Sequence, residues 1–174
     1  MMNKKILINF SLFQLSWFAC VIGAAKNLPW LGVIITLIFV IWHLSRAKTA
    51  HQELLLLVCA LVLGGLFDQT MQSLNLISYQ AHLWSEALIP AWILALWLAF
   101  CCTLNVSLRW MRGKHLIAII FGLIGGPLAY IGAAKLGAAS IIQTPQSLIA
   151  VGIGWAVITP LLIRVSQKFD GFAP

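Results

Sequence analysis

Six apolar runs, at roughly 6–25, 29–45, 53–75, 90–108, 115–137 and 146–165, leave this chain almost no residues for anything else. Crossing about 30 Å of hydrocarbon takes ~20 residues at ~1.5 Å each, and these lengths fit within ordinary tilt. Lipid offers no water to satisfy a bare backbone, so each run must be a helix. Alternation at period two, the mark of a barrel, is absent. The expected fold class is therefore all-α: a polytopic transmembrane bundle of six spans, forming a single domain over residues 1–174.

Composition excludes the soluble alternatives. The chain is 61% hydrophobic and 9% charged, whereas soluble domains sit near half apolar and a quarter charged. A net charge of +7 does not imply nucleic acid, because the basic residues fall in the gaps between apolar runs and form no basic face. Cys20, Cys59, Cys101 and Cys102 lie inside apolar runs without CxxC or Cys/His spacing, so neither a disulfide framework nor a metal is expected. The start of the chain has Lys4 and Lys5 before an apolar run and Gly23-Ala24-Ala25 after it. That run exceeds the ~7–15 residues of a signal core and contains Gln14 and Trp17, so it reads as a retained first span.

Lys and Arg fix the expected direction. With the N-terminus inside, the inner segments hold Lys4, Lys5, Arg46, Lys48, Arg109, Arg112, Lys114, Arg164 and Lys168, and the outer side only Lys26 and Lys135. Both termini are then cytoplasmic. The one long loop, 69–89, has no Lys or Arg. Its Leu74, Ile77, Tyr79, Leu83 and Trp84 suggest an interfacial helix or a prolonged third span, against a simple polar loop. "GAAK" at 23–26 and 132–135 is a weak internal echo, best assigned to chance.

The fifth run, "IIFGLIGGPLAYIGAAKLGAA" in part, carries Gly122 and Gly126 as GxxxG, with Gly125 and Ala129 in a second row at spacing four. Small residues at that spacing let helix backbones approach closely in lipid. Pro127 removes a backbone donor and predicts a kink, and Tyr130 follows with a hydroxyl that needs a partner. The run is a packing helix first, and a kinked glycine-rich helix also makes room for something else.

Polar residues are few. Glu53 opens the third span, where a carboxylate favours a helix N-terminus, and Asp170 in the tail suggests nothing further. Asp68 follows "LVLGGLF" well inside the third helix, where a carboxylate is costly unless paired, protonated or facing water. Two readings stay open: an ion pair with Lys135 that locks helix three to helix five, or a site residue facing an outward cavity. Lys26, Tyr130, His82 and Glu86 lie at similar depth. In the fourth run Cys101, Asn105 and Arg109 fall at spacing four, on one helix face. Asn105 is expected to bond a neighbouring helix, worth ~0.6–2 kcal/mol. Arg109 either binds lipid phosphate or snorkels, the second being the default. His43, His51 and His115 lie on the inner side near Glu53 without HExxH or HxxxH spacing, so no metal or cofactor is expected. GxSxG, Walker and kinase signatures are absent. Most tryptophans mark span ends, but Trp17, Trp97 and Trp155 lie deeper, as core or as pocket lining.

The segment 86–137, with Pro90 and Trp92, then "LWLAF", "TLN", "SLRW" and "GGPLAY" followed by "LGA", resembles the DUF2878 family, as does "GGLFDQ" at 64–69. The resemblance implies a small bacterial inner-membrane protein and carries Asp68, Asn105, Pro127 and Tyr130 across by their local motifs. It also implies lipid as a neighbour, since members accompany fatty-acyl-modifying proteins. The candidate binding residues are Asp68, Tyr130, Asn105, Lys135 and Arg109, and the expected partner is membrane lipid, with a second copy or another membrane protein. The expected activity is binding or transport of a small amphipathic molecule, against a membrane-embedded lipid-modifying enzyme or a scaffold.

Overall fold

The computed structural model describes residues 4–173. Six α-helices run back and forth between two ends: α1 (Lys4–Ala25), α2 (Pro29–Arg46), α3 (Ala50–Ser73), α4 (Ala91–Leu104), α5 (His115–Lys135) and α6 (Gln146–Lys168). Two short strands, β1 (Ile77–Tyr79) and β2 (Ala139–Ile141), pair antiparallel with Tyr79 opposite Ala139. One end of the bundle is thus the sheet end. The other is the tail end, where the start of α1, the start of α3 and the C-terminal tail lie.

Five helices, all but α4, are long and apolar enough to cross a membrane. Their outward faces carry large apolar side chains, such as Leu116, Leu66 and Ile38, that no water-soluble surface would gather in such numbers. The helix α4 is different. It has 14 residues, about 21 Å at ~1.5 Å per residue, and nearly all of them are buried, as a central pillar touching α1, α2, α3 and α6. The expected helix over 90–108 therefore stops early. Asn105 caps α4 and the chain turns through a 3-10 turn at Arg109–Met111, so Cys101, Asn105 and Arg109 do not share one helical face.

The loop 69–89 also departs from expectation. It holds no interfacial helix: α3 ends at Ser73, Asn75 takes a left-handed conformation (φ 54°), and the chain enters β1. Ile77 and Tyr79 point inward and Ser78 lies between them half-buried. A three-residue strand whose partner lies far downstream leaves little periodicity to read.

Glycines set the close helix contacts. A Cβ on Gly32 would overlap Cys20 of α1, and one on Gly154 would overlap the Phe67 ring of α3. A Cβ on Gly122 or Gly126 would overlap Trp155, so GxxxG is used inside the chain, for the α5–α6 pair. α5 continues through Pro127. The Leu123 carbonyl, which Pro127 leaves without its intrahelical donor, faces Gly152, where a Cβ would lie 3.2 Å from that oxygen. Gly125 is the exception: nothing would lie within 4 Å of its Cβ.

Candidate functional site

The site grows from two helical pairs of the form Gly-x-x-x-polar. On α3, Gly64 lies one turn before Asp68, and its missing side chain is the slot for the Trp97 indole of α4. Seated there, Trp97 donates its Nε1–H to Asp68 Oδ2 at 2.5 Å. On α5, Gly126 lies one turn before Tyr130 and seats Trp155 of α6. The two indoles stack between the glycines, centroids 4.7 Å apart and 16° from parallel. The Tyr130 hydroxyl then donates to Asp68 Oδ1. From β1, Tyr79 donates to the same oxygen at 2.6 Å. Asp68 is 2% exposed, and its carboxyl is held by two phenols and an indole, with no cation on it among the described residues.

Lys135 is exposed, and the ion pair with Asp68 is not formed: the ion pairs among the described residues lie at the tail end. The preorganised neutral donors make the pair unnecessary, since both carboxylate oxygens already accept hydrogen bonds. Tyr79 lies in the sheet, outside the spanning helices. Burial first, then the Asp68 carboxyl and Tyr130, push its phenol well above its ordinary range, so it stays a proton donor.

Beside this cluster is a cavity of about 390 Å³ between α1, α4 and α5. Aromatic and apolar side chains dominate its walls, and Trp17, Trp97 and Trp155, the three deep tryptophans, all contribute. Gly125 and Ala129 form part of the α5 wall, while Tyr79 and Ala139 close the sheet end. The polar groups at its surface are Asp68, Gln14, Thr103, Ser107 and the two tyrosines.

A second polar centre occupies the tail end. Glu53, 1% exposed, accepts from Asn105 Nδ2 at 2.6 Å and from the Gly171 backbone N–H at 2.7 Å, and lies 2.8 Å from His43 Nε2. Arg112 donates to Asp170, to Asn105 Oδ1 and to the Ser166 carbonyl. Arg109 donates to Asp170 at 2.6 Å. The tail is thus clasped, and two readings need correction. Asp170 is the anchor of the C-terminus, and Glu53 does more than favour a helix N-terminus. Arg109 is engaged by Asp170. Asn105 does bond a neighbouring helix, through Glu53. Among the described residues no three His, Cys, Asp or Glu side chains gather where a metal could bind.

The candidates therefore divide. Asp68 and Tyr130 are together at the cavity, Asn105 and Arg109 belong to the tail clasp, and Lys135 joins neither. Tyr79 and Trp97 as donors to Asp68 were not foreseen, nor were Gln14 and Ser107 as cavity residues. The depth of Trp97 was the one available hint.

A family profile described as "Protein of unknown function (DUF2878)" matches residues 6–161. The chain belongs to the DUF2878 family. The match runs well beyond 86–137 and takes in α2, the Asp68 cluster and every wall of the cavity. Of the tail clasp of this DUF2878 chain, Ser166, Asp170 and Gly171 fall outside the matched span. Comparison with curated proteins and with solved structures finds no match.

Proposed function

We propose that this is a multi-pass protein of the bacterial inner membrane that binds, and by binding carries or presents, one small amphipathic, lipid-like molecule in the cavity beside Asp68. The observation that carries this reading is a carboxyl buried among neutral donors at the edge of an apolar cavity. A polar tip on an apolar enclosure matches a ligand with a polar end and an apolar body, and intramembrane carboxyls are functional candidates by default.

In this reading all six helices cross, α4 as a short pillar shielded by the others. Nine Lys and Arg lie at the tail end against Lys26 and Lys135 at the sheet end, a bias that supports cytoplasmic termini. Membrane lipid covers the outward faces. A second copy or another membrane protein would use those same faces, because the GxxxG row is already occupied by α6. An enzyme is the weaker alternative, since neither Thr103 nor Ser107 on the cavity wall is hydrogen-bonded to a base that could activate it.

Mass spectrometry of what co-purifies with the wild type and with Asp68→Asn tests the reading. A defined small amphiphile retained by the wild type and lost from the folded variant is expected. Bulk lipid alone on both would favour a scaffold.

A further inference from the structure

We propose that the ligand enters this cavity sideways from the bilayer, between α1 and α5, and that the site takes a single-chain amphiphile with an uncharged or cationic head, not a phosphate. The inference rests on the cavity-binding reading above and adds the route and the ligand class.

The route follows from how α1 and α5 meet. At the sheet end they touch: a Cβ on Gly132 would lie 3.3 Å from the Trp17 ring, and one on Gly137 would lie 3.8 Å from Ala25. Farther toward the tail end, a Cβ on Gly125 would meet nothing within 4 Å. The helices therefore part below their upper contact. Phe10 and Phe18 of α1 and Phe121 and Leu128 of α5 line the cavity, yet they are 48%, 46%, 40% and 61% exposed. A side chain that is both cavity wall and outer surface stands at a mouth. These four sit on helices long and apolar enough to span a membrane, so the medium outside the mouth is hydrocarbon, not water.

The ligand class follows from size and charge. A cavity of about 390 Å³ lies near the low end of the ~300–1,000 Å³ that hold small ligands, room for one chain and not two. Among the described residues no Lys, Arg or His lines it, and its one carboxyl is Asp68. A phosphate would enter without a cation to meet it, beside a carboxyl. Donors and acceptors, in contrast, wait unused. Ser107 is 7% exposed, and its Oγ has no hydrogen-bond partner among the described residues. Gln14, midway along α1, lines the cavity without a hydrogen bond to any described residue. An amide at that depth is costly unless something satisfies it. A hydroxyl, amide or amine head supplies that partner.

The full chain in phosphatidylcholine vesicles gives the test, read as quenching of its tryptophan fluorescence. Three probes carry bromine on a single chain: a fatty alcohol, a fatty amine and a lysophosphatidate. Saturable quenching by the alcohol or amine is expected, with the lysophosphatidate giving only the linear quenching of a bystander. Gly125→Leu, which puts a side chain into the mouth from a position whose Cβ meets nothing within 4 Å, should raise the half-saturating mole fraction at least tenfold. Gln14→Leu should raise it severalfold, and it decides alone if Gly125→Leu does not fold. Wild-type binding by folded Gly125→Leu would overturn the route. Saturation by the lysophosphatidate, or an unchanged Gln14→Leu, would overturn the head-group class. No saturable quenching of the wild type by any probe would instead remove the cavity-binding reading itself.

Discussion

At the tail end Glu53 is buried and Asp170 largely so, among His43, Arg109 and Arg112, and neither lines the cavity. At the sheet end Asp68 is buried with two phenols and an indole and has a cavity beside it. Both centres hold carboxyls out of water with complete hydrogen bonding. The difference is the countercharge. Arg109 and Arg112 bring positive charge to Asp170 and fix a segment remote in sequence, which is what a clasp requires. Neutral donors alone hold Asp68 in place, with no countercharge locking it, which leaves the carboxyl available to a ligand.

The comparison can be broken in graded steps. The largest effect is expected from Gly64→Leu, which drives a side chain into the Trp97 indole. It should remove the monodisperse folded species in size-exclusion chromatography, because a rigid ring between two helices cannot yield. Arg112→Ala should come next. It strips donors from Asp170, Asn105 and Ser166, a loss of about 3 kcal/mol on the scale of a broken buried pair. Thermal unfolding should fall by roughly 6–12 °C for a chain of this size, and limited proteolysis should cut the tail while the cavity end stays intact. Tyr130→Phe removes one donor from Asp68 at a cost of ~1–2 kcal/mol, with a smaller melting shift but weaker ligand retention. Gly125→Ala should be the mildest, within about 1 kcal/mol of wild type and of either sign, because a methyl group there meets open space. Its neighbour Gly126→Ala should be clearly destabilising, since the same methyl group would press on Trp155. A reversal of that last pair would mean that the two rows of α5 have been assigned the wrong way round.

Hydrophobic length made most of the architecture legible. The runs at 29–45, 115–137 and 146–165 lie within three residues of α2, α5 and α6 at each end, because lipid imposes helix wherever it is the solvent. The apolar run 90–108 is longer than the pillar α4, since burial inside protein, and not in lipid, lets a helix be short. The GGLFD of α3 was legible as unusual but not as a slot, because the indole that fills it comes from α4. The tail clasp was invisible: Asp170 and Arg109 are 61 positions apart, and no local pattern announces a pairing at that separation. Tyr79 was hidden for the same reason, placed on Asp68 only by the pairing of β1 with β2.

The most direct test of this division of labour is the melting shift that a saturating long-chain alcohol gives to the wild type, Asp68→Asn and Arg112→Ala. Asn keeps an acceptor for the tyrosines and loses the one facing Trp97, so Asp68→Asn should start only ~1–3 kcal/mol less stable and show no ligand shift. Arg112→Ala should start lower and shift as far as the wild type does. A full shift in Asp68→Asn, or its loss from folded Arg112→Ala, would contradict the assignment of ligand to the sheet end and structure to the tail end.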